Sequence, residues 1–123
     1  IKELEDLLEH LNYELRIIDI PDGALHLTSI ASTPTDEIIL APKGMLPEDA
    51  FGELPEGSQV CWMPIEETYG CNTIGLPGNK VLVAEGYPAV LNKLIELNIE
   101  PIILDVSQFR AGDGSLTCCS LFY

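Results

Sequence analysis

Two stretches near opposite ends of the chain read alike, and that likeness constrains the fold more than any other feature. Leu4-Glu5-Asp6-Leu7-Leu8-Glu9-His10-Leu11-Asn12 and Leu91-Asn92-Lys93-Leu94-Ile95-Glu96-Leu97-Asn98 both space apolar residues as an amphipathic helix and close on Asn. Each leads into an apolar run, Leu15 to Ile20 and Ile99 to Val106. Each run then turns through Asp-Gly, at Asp22-Gly23 and at Asp113-Gly114. Beyond the turn lies a polar-interrupted segment, carrying His26 in one copy and Cys118 in the other. A recurring helix–strand–turn–strand unit predicts a pseudosymmetric α/β architecture of similar modules. Corresponding strands would converge on one axis, bringing His26 and Cys118 together.

The rest of the chain fits such an architecture. Helices are expected over 1–12 and 88–98, the second with Pro88 in its first turn. Strands are expected over 15–20, 24–30, 37–41, 58–63, 72–76 and 80–84, with a buried strand over 101–106 and a last one over 115–122. Residues 42–58 read as loop, with one helical turn at Pro47-Glu48-Asp49-Ala50.

A chain of 123 residues makes at most one small domain. Its net charge of −14 repels nucleic acid and anionic membranes and suits a cationic substrate or a solubilising surface. No apolar run approaches the ~18 residues of a membrane span, and Ile1-Lys2-Glu3-Leu4-Glu5-Asp6 is too acidic for a signal peptide. The expected location is cytoplasmic. The chain also opens without Met, inside a helix, as a piece of something longer would. The spacing of Cys61, Cys71, Cys118 and Cys119 misses CxxC, and adjacent cysteines rarely bridge each other, so free thiols are expected.

Asp113-Gly114-Ser115-Leu116-Thr117-Cys118-Cys119-Ser120 is a glycine turn running into two cysteines. A nucleophilic thiol gains from such a turn, since backbone N–H groups directed at the sulfur favour thiolate. An imidazolium or a cationic substrate beside it would help further, and the same His could pass its proton to a leaving amine. The alternative is that His26 is a hydrogen-bonded core residue. On a strand Cys118 and Cys119 would face opposite sides, leaving one nucleophile. Cys61 and Cys71, beside Val60, Trp62 and Tyr69, read as core thiols. Glu66 and Glu67 could orient a His or lie in a solvated loop, and Trp62 and Phe109 read as packing anchors.

These residues resemble the guanidino-group-modifying (pentein) superfamily, and most of all its dimethylarginine dimethylaminohydrolases and amidinotransferases. The likeness rests on Asp22-Gly23-Ala24-Leu25-His26-Leu27-Thr28-Ser29, on Glu85-Gly86-Tyr87-Pro88, and on the Cys118 motif, in that order over roughly residues 1 to 121. It implies the C-terminal part of a five-module α/β propeller, about two and a half modules, divided roughly 1–42, 43–86 and 87–123. It further implies Cys118 as nucleophile, His26 as general acid and base, and Gly112 and Asp113 at the substrate's amino-acid end. Two departures stand out: Thr28 occupies a position that is Asp in arginine deiminases and amidinotransferases, and Phe122 follows Leu121 where Arg is common. The family's third catalytic carboxylate and its acidic guanidinium clamp come from modules preceding the His module.

The resemblance thus implies a cysteine-dependent hydrolase or amidinotransferase acting on the guanidinium of arginine or a methylated arginine, with no metal or organic cofactor. The implied partners are a small cationic guanidino substrate, the N-terminal modules of the same domain, and a second copy of the chain. Two other readings stay open: a non-catalytic binding protein on the same propeller, and a vicinal-dithiol redox or metal sensor built on Cys118 and Cys119.

Overall fold

Lys2–His10 (α1) opens the chain as expected, with Glu3 and Glu5 in the first turn and His10 in the last, the order the helix dipole favours. The computed structural model, which describes residues 1–121, then runs as irregular backbone from Tyr13 to Pro21. The strand expected over 15–20 is absent. A strand needs a hydrogen-bonding neighbour, and none of the described residues pairs with this segment; Ile17 is 68% exposed.

Among the described residues six strands follow, in two sheets of one plan. Ser32–Thr35 (β1) turns back antiparallel into Ile38–Pro42 (β2), and Gln59–Met63 (β3) runs parallel along the far side of β2. Ile74–Leu76 (β4) turns back into Lys80–Ala84 (β5), and Glu100–Leu104 (β6) runs parallel along the far side of β5. The registers match as well, Ile38↔Gln59 to Pro42↔Met63 in one sheet and Lys80↔Glu100 to Ala84↔Leu104 in the other.

The repeat therefore relates the two sheets, and the two ends of the chain also keep one order of helix, apolar run, Asp-Gly turn and 3₁₀ turn, although the run after α1 has no pairing partner among the described residues. A parallel pair requires a crossover. In the second sheet this is the helix Pro88–Glu96 (α2). In the first it is the Pro- and Gly-rich segment 43–58, which has no helix and turns through bonds from the Ala50, Gly52 and Ser58 N–H groups to the Pro47, Asp49 and Pro55 carbonyls at 3.0, 2.9 and 3.0 Å. The missing crossover helix hides the correspondence between the two sheets.

Leu40, Val81, Val83, Val90 and Leu94 are fully buried in one core between the sheets and α2. Val90 and Leu94 lie one helical turn apart and are the buried residues of α2, each worth roughly 1.5–3 kcal/mol of burial. Glu67 caps this helix: its two carboxylate oxygens accept the Ala89 and Val90 N–H groups at 2.9 and 2.8 Å. β6 is an edge strand, and Ile102, Ile103 and Leu104 are exposed, contrary to the buried strand expected there.

The first strands of the two sheets meet at a polar seam. Ser32 Oγ donates to the Cys71 carbonyl at 2.5 Å and lies 2.7 Å from Thr73 Oγ1, while the Thr73 N–H donates to Ser32 Oγ at 3.1 Å. A Cβ on Gly75 would fall 2.5 Å from the Pro34 carbonyl oxygen, so the close crossing of β1 and β4 needs glycine.

Candidate active site

Cys118 sits in a 3₁₀ turn, Thr117–Cys119, where a strand was expected over 115–122. The Cys119 N–H reaches the Ser115 and Leu116 carbonyls at 3.3 and 3.2 Å, and Ser120 Oγ donates to Leu116 at 2.7 Å. Such local bonds compete with a sheet ladder and win here. Phe122, where the family motif departs, lies outside the described residues.

Residues three apart stack in so tight a turn, which places Ser115 Oγ 3.2 Å from Cys118 Sγ. Hydrogen bonding from Ser115, first its side chain and then its backbone, holds the Cys118 thiol below its ordinary pKa. Cys118 and Cys119 are both exposed and free. Strand alternation cannot tell them apart, since there is no strand; the Ser115 hydroxyl does.

His26 is exposed and immediately precedes another 3₁₀ turn, Leu27–Ser29, closed by Ser29 N–H to His26 carbonyl at 3.0 Å. The strand expected over 24–30 is therefore a turn leading into β1.

A third 3₁₀ segment, Ile65–Cys71, precedes β4, and the residue after it joins the other two turns. Asn72 Nδ2 donates to the Thr28 carbonyl and to Thr117 Oγ1, the latter at 2.8 Å. Its Oδ1 accepts the Thr117 N–H at 3.2 Å. The turns bearing His26 and Cys118 are thus brought together from opposite ends of the chain. Among the described residues no hydrogen bond joins His26 to Cys118 directly.

Gly112 and Asp113 follow the short helix Ser107–Ala111 (α3) on the same C-terminal segment. Both are exposed; the Gly112 N–H donates to Phe109 and the Asp113 N–H to Arg110, each at 3.0 Å, and Asp113 takes φ 60°. The turn is docked from behind. Tyr69 Oη donates to the Gly114 carbonyl at 2.7 Å, and the Arg110 guanidinium lies 5.0 and 5.7 Å from the Tyr69 and Tyr87 ring centres.

The remaining candidates resolve as structural. Cys61 and Cys71 are buried free thiols; burial pushes the first up and the second to about 12. Glu67 caps α2, and Glu66 is exposed. Trp62 packs with Phe51, ring centres 6.1 Å apart, whereas Phe109 is 55% exposed. Ser115 and Asn72 were missed. Ser115 is legible in hindsight from its spacing to Cys118, and a lone Asn within Cys71-Asn72-Thr73-Ile74 marks a buried polar contact. Among the described residues no group of three or more His, Cys, Asp or Glu is placed to hold a metal ion, and no helix is long and apolar enough to cross a membrane.

No family model matches the chain. Two curated relatives do, both named N(G),N(G)-dimethylarginine dimethylaminohydrolase. The one from Streptomyces coelicolor is 27% identical over 108 residues, covering 86% of this chain and 39% of the relative. The one from Pseudomonas aeruginosa is 28% identical over 101 residues, covering 80% and 39%. Among solved structures, the P. aeruginosa dimethylarginine dimethylaminohydrolase complexed with citrulline superposes at TM-score 0.72 and 24% identity, covering 99% of this chain and 46% of that one. An amidinotransferase from Microseira wollei in the saxitoxin biosynthetic pathway superposes at TM-score 0.76 and 20% identity, covering 96% and 39%. The chain spans about two-fifths of the length of the curated relatives it matches.

Proposed function

We infer that this chain, whose sequence and mixed α/β pentein fold are those of the guanidino-group-modifying superfamily and most like dimethylarginine dimethylaminohydrolase, supplies the nucleophile and the general acid of a guanidino-group hydrolase or transferase. The observation that carries this reading is the meeting of the His26 and Cys118 turns across Asn72.

The Cys118 thiolate attacks the planar guanidinium carbon and forms a C–S bond. The C–N bond breaks, and the departing amine takes its proton from His26. Water, giving its proton to His26, then adds to the same carbon; the C–S bond breaks, thiolate returns and a urea-type product leaves. In a transferase an acceptor amine replaces that water. The Gly112 N–H is engaged by Phe109, so its carbonyl and the Asp113 carboxylate are the groups proposed to meet the substrate's ammonium end. The guanidinium clamp and third carboxylate are proposed to come from further modules of the same domain.

The test is selective alkylation and turnover in the full-length protein. Chloroacetamidine, a guanidinium mimic, should label Cys118 and spare Cys119. Cys118→Ser should abolish turnover of N(G),N(G)-dimethylarginine or a related guanidine, and Cys119→Ser should keep most of it. His26→Ala should slow the chemical step by on the order of 10²–10⁴. Equal behaviour of the two cysteines would sink the reading in favour of a vicinal dithiol, and no selective labelling would favour a binding protein.

A further inference from the structure

We propose that Asn72 is a positioning residue that sets the approach of His26 to Cys118, an inference that rests on the reading above. Asn72 is 1% exposed and sits where the two sheets meet. It has no route to substrate; it acts through the two turns it holds.

The carboxamide is suited to this place by its mixed chemistry. It offers two N–H donors and an acceptor oxygen. Here one N–H goes to the Thr28 carbonyl, two residues after His26, and the other to Thr117 Oγ1, one residue before Cys118. The oxygen takes the Thr117 N–H. Each partner lies in one of the two functional turns. Among the described residues no other hydrogen bond links those turns. Asp at this position would set a carboxylate against the Thr28 carbonyl, and Leu would offer neither donor nor acceptor.

The base on which Asn72 stands is rigid. Its neighbours Cys71 and Thr73 are both bonded to Ser32 Oγ across the seam between β1 and β4. The same stretch holds the Cys118 segment a second time, through Tyr69 Oη and the Gly114 carbonyl. With Asn72 in place the His26 turn is hydrogen-bonded to the Cys118 turn; without it, no hydrogen bond among the described residues fixes one turn to the other. A misplacement near 1 Å between reacting groups can cost about 10²-fold in rate.

The experiment measures chloroacetamidine alkylation of Cys118 against pH in the full-length protein, with His26→Ala, Asn72→Ala and the double variant. Asn72→Ala should slow alkylation at neutral pH by roughly 10–10²-fold and move the profile toward that of an unassisted thiol. Added to His26→Ala it should cost no more than about twofold, because the group it positions is gone. An undiminished rate in Asn72→Ala would overturn the inference, as would an equal penalty with and without His26, which marks a purely structural role. Should Asn72→Ala fail to fold, Thr117→Val removes the hydroxyl acceptor and Thr117→Ser keeps it; slowing in the first that the second restores supports the inference, and equal rates overturn it. If the wild-type thiol is indifferent to chloroacetamidine, or to His26→Ala, the functional reading itself falls; if only Asn72 proves silent, that reading stands and this one does not.

Discussion

Ser115 Oγ lies 3.2 Å from Cys118 Sγ, across a single tight turn. A hydroxyl that donates to sulfur stabilises thiolate over thiol, which is why the Cys118 pKa is lowered. Ser115→Ala should raise that pKa, so the pH profile of Cys118 alkylation should shift to higher pH. A profile that stays in place would show that the hydroxyl does not reach the sulfur in solution.

Cys71 gives a pH dependence to stability. Burial raises its thiol pKa from the model-compound value of 9.0 to about 12. The folded state therefore binds this proton more tightly than the unfolded chain. The contribution is complete below pH 9 and is lost as pH rises toward 12. Denaturant midpoints should fall over that window in the full-length protein, and Cys71→Ala should flatten the fall while lowering stability at neutral pH.

Glu67 carries the two N–H groups that open α2. Glu67→Ala should cost about 1–2 kcal/mol, the upper range for losing a cap, because both donors are left in a part-buried site. Hydrogen exchange at Ala89 and Val90 should quicken selectively. Unchanged protection there would show that water replaces the carboxylate at no cost.

Gly75 is where β4 crosses β1. A methyl at this position would meet the Pro34 carbonyl oxygen, a backbone atom that cannot rotate away. Gly75→Ala should destabilise by roughly 1–3 kcal/mol and weaken the Ser32–Thr73 contact. A melting temperature equal to wild type would mean that the two strands separate easily.

The apolar face of α1, with Leu4, Leu7 and Leu11, and the edge strand β6, with Ile103 and Leu104, are exposed. An unpaired apolar edge invites association. The isolated 123-residue chain should therefore sediment as more than a monomer. A monodisperse monomer with a cooperative melt would refute this.

Local pattern alone was enough for several elements. Apolar periodicity and Pro88 specify α2; alternating and continuous apolar runs specify β2, β3 and β5; the burial of Cys61 and Cys71 follows from their apolar neighbours. His26 and Cys118 were picked out because a glycine turn beside a reactive side chain is a local signal, and the structure joins their two turns through Asn72. The segments around them were misread as strands, since the apolar alternation there lacks a partner to pair with, and pairing is a property of the whole fold. The likeness of the two ends was seen, but that of the two sheets was not, because one crossover is a helix and the other a loop. Asn72 and Glu67 depend on the tertiary structure altogether: a carboxamide or carboxylate acquires its role from the N–H and carbonyl groups that folding brings to it, and here those lie 22 or more residues away along the chain.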